Sequence, residues 1–347
     1  MSLLTSLISH QIWLQRTASG EVKDLTPFIQ EIRDEIKRQV LLFGDDGRST
    51  ARLNKLLRDL EEALTGITGD WQTKLTDDLK ELSAYEAEWN VKTLTANVDA
   101  EFVTPTAEQV WAAAEFQPLS LSDKPVDFTK LMSGWGETEV ARLVTGVKMG
   151  FVQGQTTRQI VKNVVGAGGL ADISERNATT VIRTALSHVS NEARNETYRQ
   201  NDDIIEKYEW VSTLDSRTST ICRARDGMTW EIGKGPMPPA HPNCRSTTAP
   251  VISSEFDFLD KGAKRAAKGA DGGTQVSADT TYYEFLKQQP AWFQDQALGP
   301  VRGKIFRNSG ISPEEFRVKS VDGFGNPLTL KQMAELDKRV ADYLKGD

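Results

Sequence analysis

Residues 213–249 read TLDSRTSTICRARDGMTWEIGKGPMPPAHPNCRSTTA, and this one stretch holds both cysteines and one of the three histidines of a 347-residue chain. In order it presents Asp215, Arg217, Cys222, Asp226-Gly227, a proline-rich turn and His241-Pro242-Asn243-Cys244-Arg245. Turn formers at that density break up any continuous helix. On its flanks the pattern becomes alternating: Ile205, Tyr208, Trp210 and Val211 before it, Met228, Trp230 and Ile232 within it, and Thr247 to Val251 at its end. Such alternation predicts short strands, two of them bracketing Cys222 and a third after Cys244, forming a small sheet against helices.

Cys222, His241 and Cys244 are soft and borderline metal ligands, and the step from His241 to Cys244 can place both on one ion. A fourth ligand would have to come from Asp215 or Asp226, because Ser219 stands three positions before Cys222 and no C-x-x-C pair exists. Several readings are open here. One is a zinc site on Cys222, His241, Cys244 and Asp215. Others are a compact loop of buried thiols, a Cys222–Cys244 disulfide, or a Cys222–His241 nucleophile oriented by Asn243 or Asp215. A zinc deaminase is excluded, since H-x-E with P-C-x-x-C is absent.

Outward from this stretch the chain is mainly α, with one small α+β domain. Residues 1–95 form an N-terminal helical region: Ile29, Ile32, Ile36 and Val40, then Leu53, Leu56, Leu57, Leu60 and Leu64, recur at three and four. A turn is expected at 45–49, and Gly66 and Gly69 are expected to break or bend the later helix. Trp13, Trp71 and Trp89 are read as packing between helices. Residues 96–127 form a connector or arm, with Pro105, Pro118 and Pro125 around one short helix at 107–115.

Residues 128–256 combine central helices with the short antiparallel sheet. Thr156 opens a helix through Ile160 and Val164, Gly166–Gly169 ends it, and Ser174 starts a long one carrying Ala178, Ile182, Ala185, Val189 and Tyr198. On this last helix His188, Asn191, Glu192, Arg194 and Asn195 read as a solvated polar face. Arg183 sits beside apolar positions and would need a partner, for which Asp215 is the candidate. Residues 257–281 read as a basic Gly/Ala linker whose Lys261, Lys264, Arg265 and Lys268 are either solvated or track phosphates. A small C-terminal helical module occupies 282–347.

With 42 basic and 49 acidic residues the formal charge is −7, so no global basic field exists and any DNA contact must be local. Two cysteines fit a reducing compartment. The first residues lack a basic n-region, and no run approaches the roughly 20 apolar residues of a membrane span, so a cytoplasmic product without a membrane is expected.

From about Trp135 to Pro250 the chain resembles the phage Mu protein F-like family of minor head, or head morphogenesis, proteins. The resemblance rests on order and spacing. It takes in the glycine-bounded Gly150–Ile160 segment, the Arg183-Thr184-Ala185 helix, and Trp210 followed by Asp215, Arg217, Cys222, Asp226-Gly227, Pro239 and His241-Pro-Asn-Cys244-Arg245. It implies a structural protein of a tailed phage without catalytic activity, few in copy and near the portal vertex, assisting capsid assembly and DNA packaging or ejection. The implied location is the phage head, assembled in the bacterial host cytoplasm. Its implied partners are a portal protein, a major capsid or scaffolding protein and packaged DNA. Family members often carry a cysteine where Ser219 stands here, which weakens the zinc reading for this chain. The set Arg183, Asp215, Arg217, Cys222, Asp226, Gly227, His241, Asn243, Cys244 and Arg245 then reads as architectural, carboxylates anchoring guanidinium groups. The alternatives are a metal-dependent nuclease or hydrolase using Cys222, His241 and Cys244, and a DNA-binding ejection factor working through Lys261 to Lys268.

Overall fold

A computed structural model describes residues 2–45, 49–121, 124–252 and 262–346. The expected turn at 45–49 falls largely outside these residues. Three helices open the chain: α1 (Leu3–Asp24), α2 (Thr26–Phe43) and α3 (Thr50–Asn97). Ser2 caps α1 and Ser49 caps α3, each accepting from a backbone N–H three residues on. At 48 residues α3 runs roughly 70 Å.

Gly66 and Gly69 do not break α3, contrary to the sequence expectation. Each glycine costs a helix about 1 kcal/mol against alanine. Ile67, Thr68, Trp71 and Leu75 around them are buried, and that packing keeps the helix continuous. Trp71 meets Trp135 edge to face at 4.4 Å, and the Trp135 indole N–H donates to the Ser174 carbonyl at 3.1 Å. Trp71 is thus a core residue, and Trp13, though 40% exposed, packs from α1 against Tyr85 of α3 at 5.2 Å between ring centres.

The arm carries α4 (Ala107–Phe116), capped by a Thr106–Gln109 box, and a two-stranded ribbon, β1 (Leu119–Leu121) with β2 (Lys124–Val126). Next come α5 (Phe128–Val152), α6 (Thr157–Val165) and α7 (Leu170–Arg199). Thr156 caps α6 as its sequence implies, but α7 begins at Leu170, four residues before Ser174. A β-carbon on Gly150 would lie 2.5 Å from Ile160, so the bare backbone there lets α5 approach α6.

Helix α7 is the axis of the molecule. It contacts α1, α3, α4 and α5, and the sheet closes over its second half. Every residue from Thr184 to Asn195 is buried, so the polar face read as solvated is internal. The period is right, but it marks only one side of a helix that neighbours surround from Thr184 to Asn195.

The sheet has the order β4-β3-β5, all antiparallel, with β3 (Ile205–Val211), β4 (Thr229–Glu231) and β5 (Thr247–Ile252). Between β3 and β4 lies α8 (Thr220–Arg225), which carries Cys222. The three strands fall where alternation placed them.

The expected linker is corrected over its described part: β6 (Lys264–Gly269) and β7 (Gly272–Ser277) form an antiparallel hairpin. Leu214 bridges Ala267, and the Lys268 N–H donates to the Leu214 carbonyl at 2.8 Å. Alternation sends Lys264 and Lys268 outward while Arg265 and Ala267 are buried. Small side chains hid this strand because its anchor is a buried guanidinium rather than an apolar row. Lys261 lies outside the described residues.

Six short helices end the chain: α9 (Tyr282–Lys287), α10 (Ala291–Leu298), α11 (Pro300–Asn308), α12 (Pro313–Lys319), α13 (Leu330–Leu336) and α14 (Lys338–Gly346). They enclose Tyr283, Phe285, Phe293, Phe306, Phe316 and Met333, a core that also takes in Leu214 and Ala267. Among the described residues no helix is long and apolar enough to cross a membrane.

Buried His188 donates its Nε2–H to the Ala114 carbonyl at 2.8 Å. Burial pulls its pKa down to about 4. In the unfolded chain it titrates near 6.5, so between about pH 6.5 and 4 the unfolded state binds the extra proton. Stability contributed by the neutral ring is present above that window and lost as pH falls through it, by up to about 1.4 kcal/mol per pH unit. Glu192 opposes this, since burial holds its carboxyl up to about 7 and the folded chain keeps that proton. The His188 part is isolated by comparison with His188→Gln: urea unfolding should show the parent losing ground to the variant from pH 7 to pH 5. Parallel pH profiles would contradict the assignment.

Candidate functional site

The motif side chains converge beside the middle of α7, where α8 and the 241–245 turn face each other. Ser219 caps α8 through the Cys222 N–H, setting Cys222 in its first turn. The Cys222 carbonyl accepts from the Ser212 hydroxyl at 2.8 Å and from the Asp226 N–H at 3.0 Å. Opposite, the Cys244 N–H donates to the His241 carbonyl at 3.1 Å, which closes a tight turn.

Asn243 makes that turn possible. Its φ of 58° is left-handed, a conformation that asparagine tolerates better than most residues. Its N–H donates to the Thr184 hydroxyl at 3.1 Å and its amide to the Thr180 hydroxyl at 3.3 Å, which pins the turn to α7. Asn243→Val should therefore cost about 1–3 kcal/mol in thermal or urea unfolding, and Asn243→Gly distinctly less. Equal losses for the two would show that the left-handed backbone is not what matters.

Cys222 and Cys244 are both buried free thiols with sulfurs 3.6 Å apart, and His241 Nε2 lies 3.3 Å from the Cys222 sulfur. Together the three residues form a ligand group whose donor atoms all lie within 4.8 Å. The other ring nitrogen, Nδ1, sits 2.9 Å from the Pro242 carbonyl, so it must carry the hydrogen. The Cys222 hydrogen bond and the nearby His241 hold the Cys244 thiol well below its ordinary pKa, while burial pushes Cys222 up. Burial works against His241 protonation, but the Cys244 sulfur and the Pro242 carbonyl outweigh it and raise the pKa. Trp210 and Ala240 pack around the sulfurs.

Neither carboxylate completes a ligand set, which corrects the role expected of Asp215. Arg245 grips Asp215 in two parallel bonds, Nη1 to Oδ2 at 2.6 Å and Nη2 to Oδ1 at 2.9 Å. Asp215 Oδ1 also accepts from the Arg217 N–H at 3.0 Å and the Thr218 hydroxyl at 3.1 Å. Burial raises the Asp215 carboxyl, and Arg245 more than reverses that, leaving it below its usual range. Arg183, expected as its partner, is exposed instead. Arg217 stands at the rim, 77% exposed and 3.8 Å from Asp215.

Asp226 is held still more completely. Its carboxylate accepts from the Ser212 N–H at 2.6 Å, the Tyr282 N–H at 2.7 Å and both Arg265 guanidinium nitrogens at 3.0 and 3.1 Å. Arg265 in turn donates to the Ser212 carbonyl at 2.6 Å and the Thr280 carbonyl at 3.1 Å. Gly227 follows with φ 77°, the turn that its sequence implied. Arg265, expected with Lys264 and Lys268 to be solvated or to track phosphates, is 3% exposed and structural. The signal that could have separated it was the alternation within Lys264-Arg265-Ala266-Ala267-Lys268.

A second cluster was missed. Glu86 on α3 is fully buried, with His10 Nε2 at 2.5 Å and the Ser190 hydroxyl at 2.9 Å on its two oxygens. Buried Arg194 lies 3.6 Å from Glu86 and bonds Asn90 and Thr247. His10 stacks on Trp89 at 3.6 Å between ring centres. The signal that could have found Glu86 is its place on the three-and-four spacing of Leu75, Leu79, Leu82 and Leu94, off which its exposed acidic neighbours Glu81 and Glu88 fall.

Among the described residues, three cavities meet at Arg217. One of about 40 Å³ is walled by Thr213, Thr218, Cys222, His241, Arg245 and Ser246. Another, about 460 Å³, opens beyond His241 between α1 and α7 past Arg183 and Arg217. The third, about 700 Å³, lies between α1 and the hairpin and is lined by Ile8, Ile12, Leu214 and Ala267.

Residues 141–249 match the family model described as Phage Mu protein F like protein. No curated protein and no solved structure matches the chain.

Proposed function

We propose, from the premise that residues 141–249 belong to the phage Mu protein F-like family, that this chain is a minor head protein of a tailed phage working beside the portal vertex in capsid assembly. The observation that carries the reading is where the motif side chains go. Asp215, Arg245, Asp226 and Asn243 all make internal bonds that tie α7, the sheet and the C-terminal helices together. Such a set builds a rigid body for display to partners rather than a catalytic cleft.

Its partners on this reading are a portal protein and a major capsid or scaffolding protein, its location is the phage head, and it assists packaging or ejection of DNA. Co-purification with the neighbouring structural proteins tests it: a portal protein should be retained, and retention of neither portal nor capsid protein would overturn it. His241→Ala should stay soluble yet enter heads less efficiently, and normal incorporation with normal melting would count against the architectural role. The DNA-binding reading through the 261–268 segment is weakened, because Arg265 faces inward and Lys264 and Lys268 are the exposed cations among its described residues. Binding that persists unchanged from low to high salt would remove it.

A further inference from the structure

We propose that Cys222, His241 and Cys244 hold a Zn²⁺ ion through three protein ligands, with water from the adjoining cavity in the fourth position. Ideal tetrahedral zinc, with Zn–S about 2.3 Å and Zn–N about 2.0–2.1 Å, sets its ligand atoms about 3.8 Å apart for sulfur to sulfur and about 3.6 Å for sulfur to nitrogen. The observed separations are 3.6 Å between the sulfurs and 3.3 Å from Cys222 to His241 Nε2, with all three donors within 4.8 Å. Bonded sulfurs would stand at about 2.05 Å instead.

The surroundings fit a metal in three further ways. His241 gives its Nδ1 hydrogen to the Pro242 carbonyl, so Nε2 presents its lone pair to the sulfurs, the orientation that outer-shell bonds impose on ligating histidines. The Ser246 N–H faces the Cys244 sulfur and the Ser219 hydroxyl faces that of Cys222, donors suited to thiolates. Two thiolates and one Zn²⁺ sum to zero charge, so the centre can be buried without an unpaired ion.

The fourth position cannot be Asp215 or Asp226, since Arg245 and Arg265 hold both carboxylates. The cavity of about 40 Å³ touching Cys222 and His241 has room for a water, and Thr213, Thr218 and Ser246 give it polar partners. Ser219 therefore does not forbid the site; it leaves the site three-coordinate in protein.

The full chain, purified without chelator and with thiols kept reduced, should carry about one zinc per molecule by elemental analysis. Exchange for Co²⁺ should give thiolate-to-cobalt charge-transfer absorption and the intense ligand-field bands of tetrahedral cobalt. Cys244→Ser and His241→Ala should each weaken Zn²⁺ binding by more than the roughly 10–100-fold that loss of an outer-shell partner brings. The cobalt spectrum needs only the unaltered chain, so the proposal stays testable if a variant fails to fold. Absence of both zinc and the cobalt bands, or retention of zinc undiminished in both variants, would overturn it. So would a Cys222–Cys244 disulfide as the stable state of the reduced-purified chain.

Discussion

Asp226→Ala is expected to destabilise the chain by about 3–5 kcal/mol, the effect of leaving a buried charge without its partner. Arg265 is 3% exposed, so its guanidinium cannot swing into water when the carboxylate is removed. The Ser212 and Tyr282 N–H groups lose their acceptor at the same time. These three donors belong to the end of β3, to the hairpin and to the first turn of α9, so one substitution loosens three elements. Chemical unfolding monitored by tryptophan fluorescence would read the loss. The double variant Asp226→Ala/Arg265→Met should recover part of it, because the unpaired charge goes while the two orphaned N–H groups stay. A single variant that unfolds with the parent would show that the hairpin is held by Leu214 and Ala267 alone.

The same residues show where sequence reading succeeds. Strands β3, β4 and β5 were legible because alternation and turn chemistry are local, and the helices because a period of three to four survives without knowledge of neighbours. The juxtaposition of Cys222 with His241 and Cys244 was legible as proximity in sequence, but its geometry required the left-handed Asn243 and the anchor on α7. What failed was whatever depends on encirclement. An arginine two residues from an alanine in a Gly/Ala-rich strand looks like any solvated cation until Asp226 is placed opposite it. A polar helix face looks like a surface until α1, α3, α4 and the sheet are seen to cover it. Gly66 and Gly69 carry a local penalty that tertiary packing overrides.

Glu86→Ala is the second large expected effect, again about 3–5 kcal/mol, and its consequences should be regional. Glu86 joins α1 through His10, α7 through Ser190 and Arg194, and with them the base of β5 through the Arg194–Thr247 bond. Arg194 is wholly buried, so removing the carboxylate leaves a cation whose remaining partners, Asn90, Asn191 and Thr247, are neutral. Glu86→Gln keeps an oxygen for the Ser190 hydroxyl but no charge for Arg194, and it should fall between the parent and alanine. His10 loses the bond that holds its ring against Trp89, so α1 should undock first while the α3–α5–α7 packing around Trp71 and Trp135 persists. Hydrogen exchange then separates two outcomes. Faster exchange confined to residues 3–24 and the base of β5 places Glu86 as the clasp of α1, whereas uniform acceleration through α3 and α5 would make it a general core residue and sink the regional account.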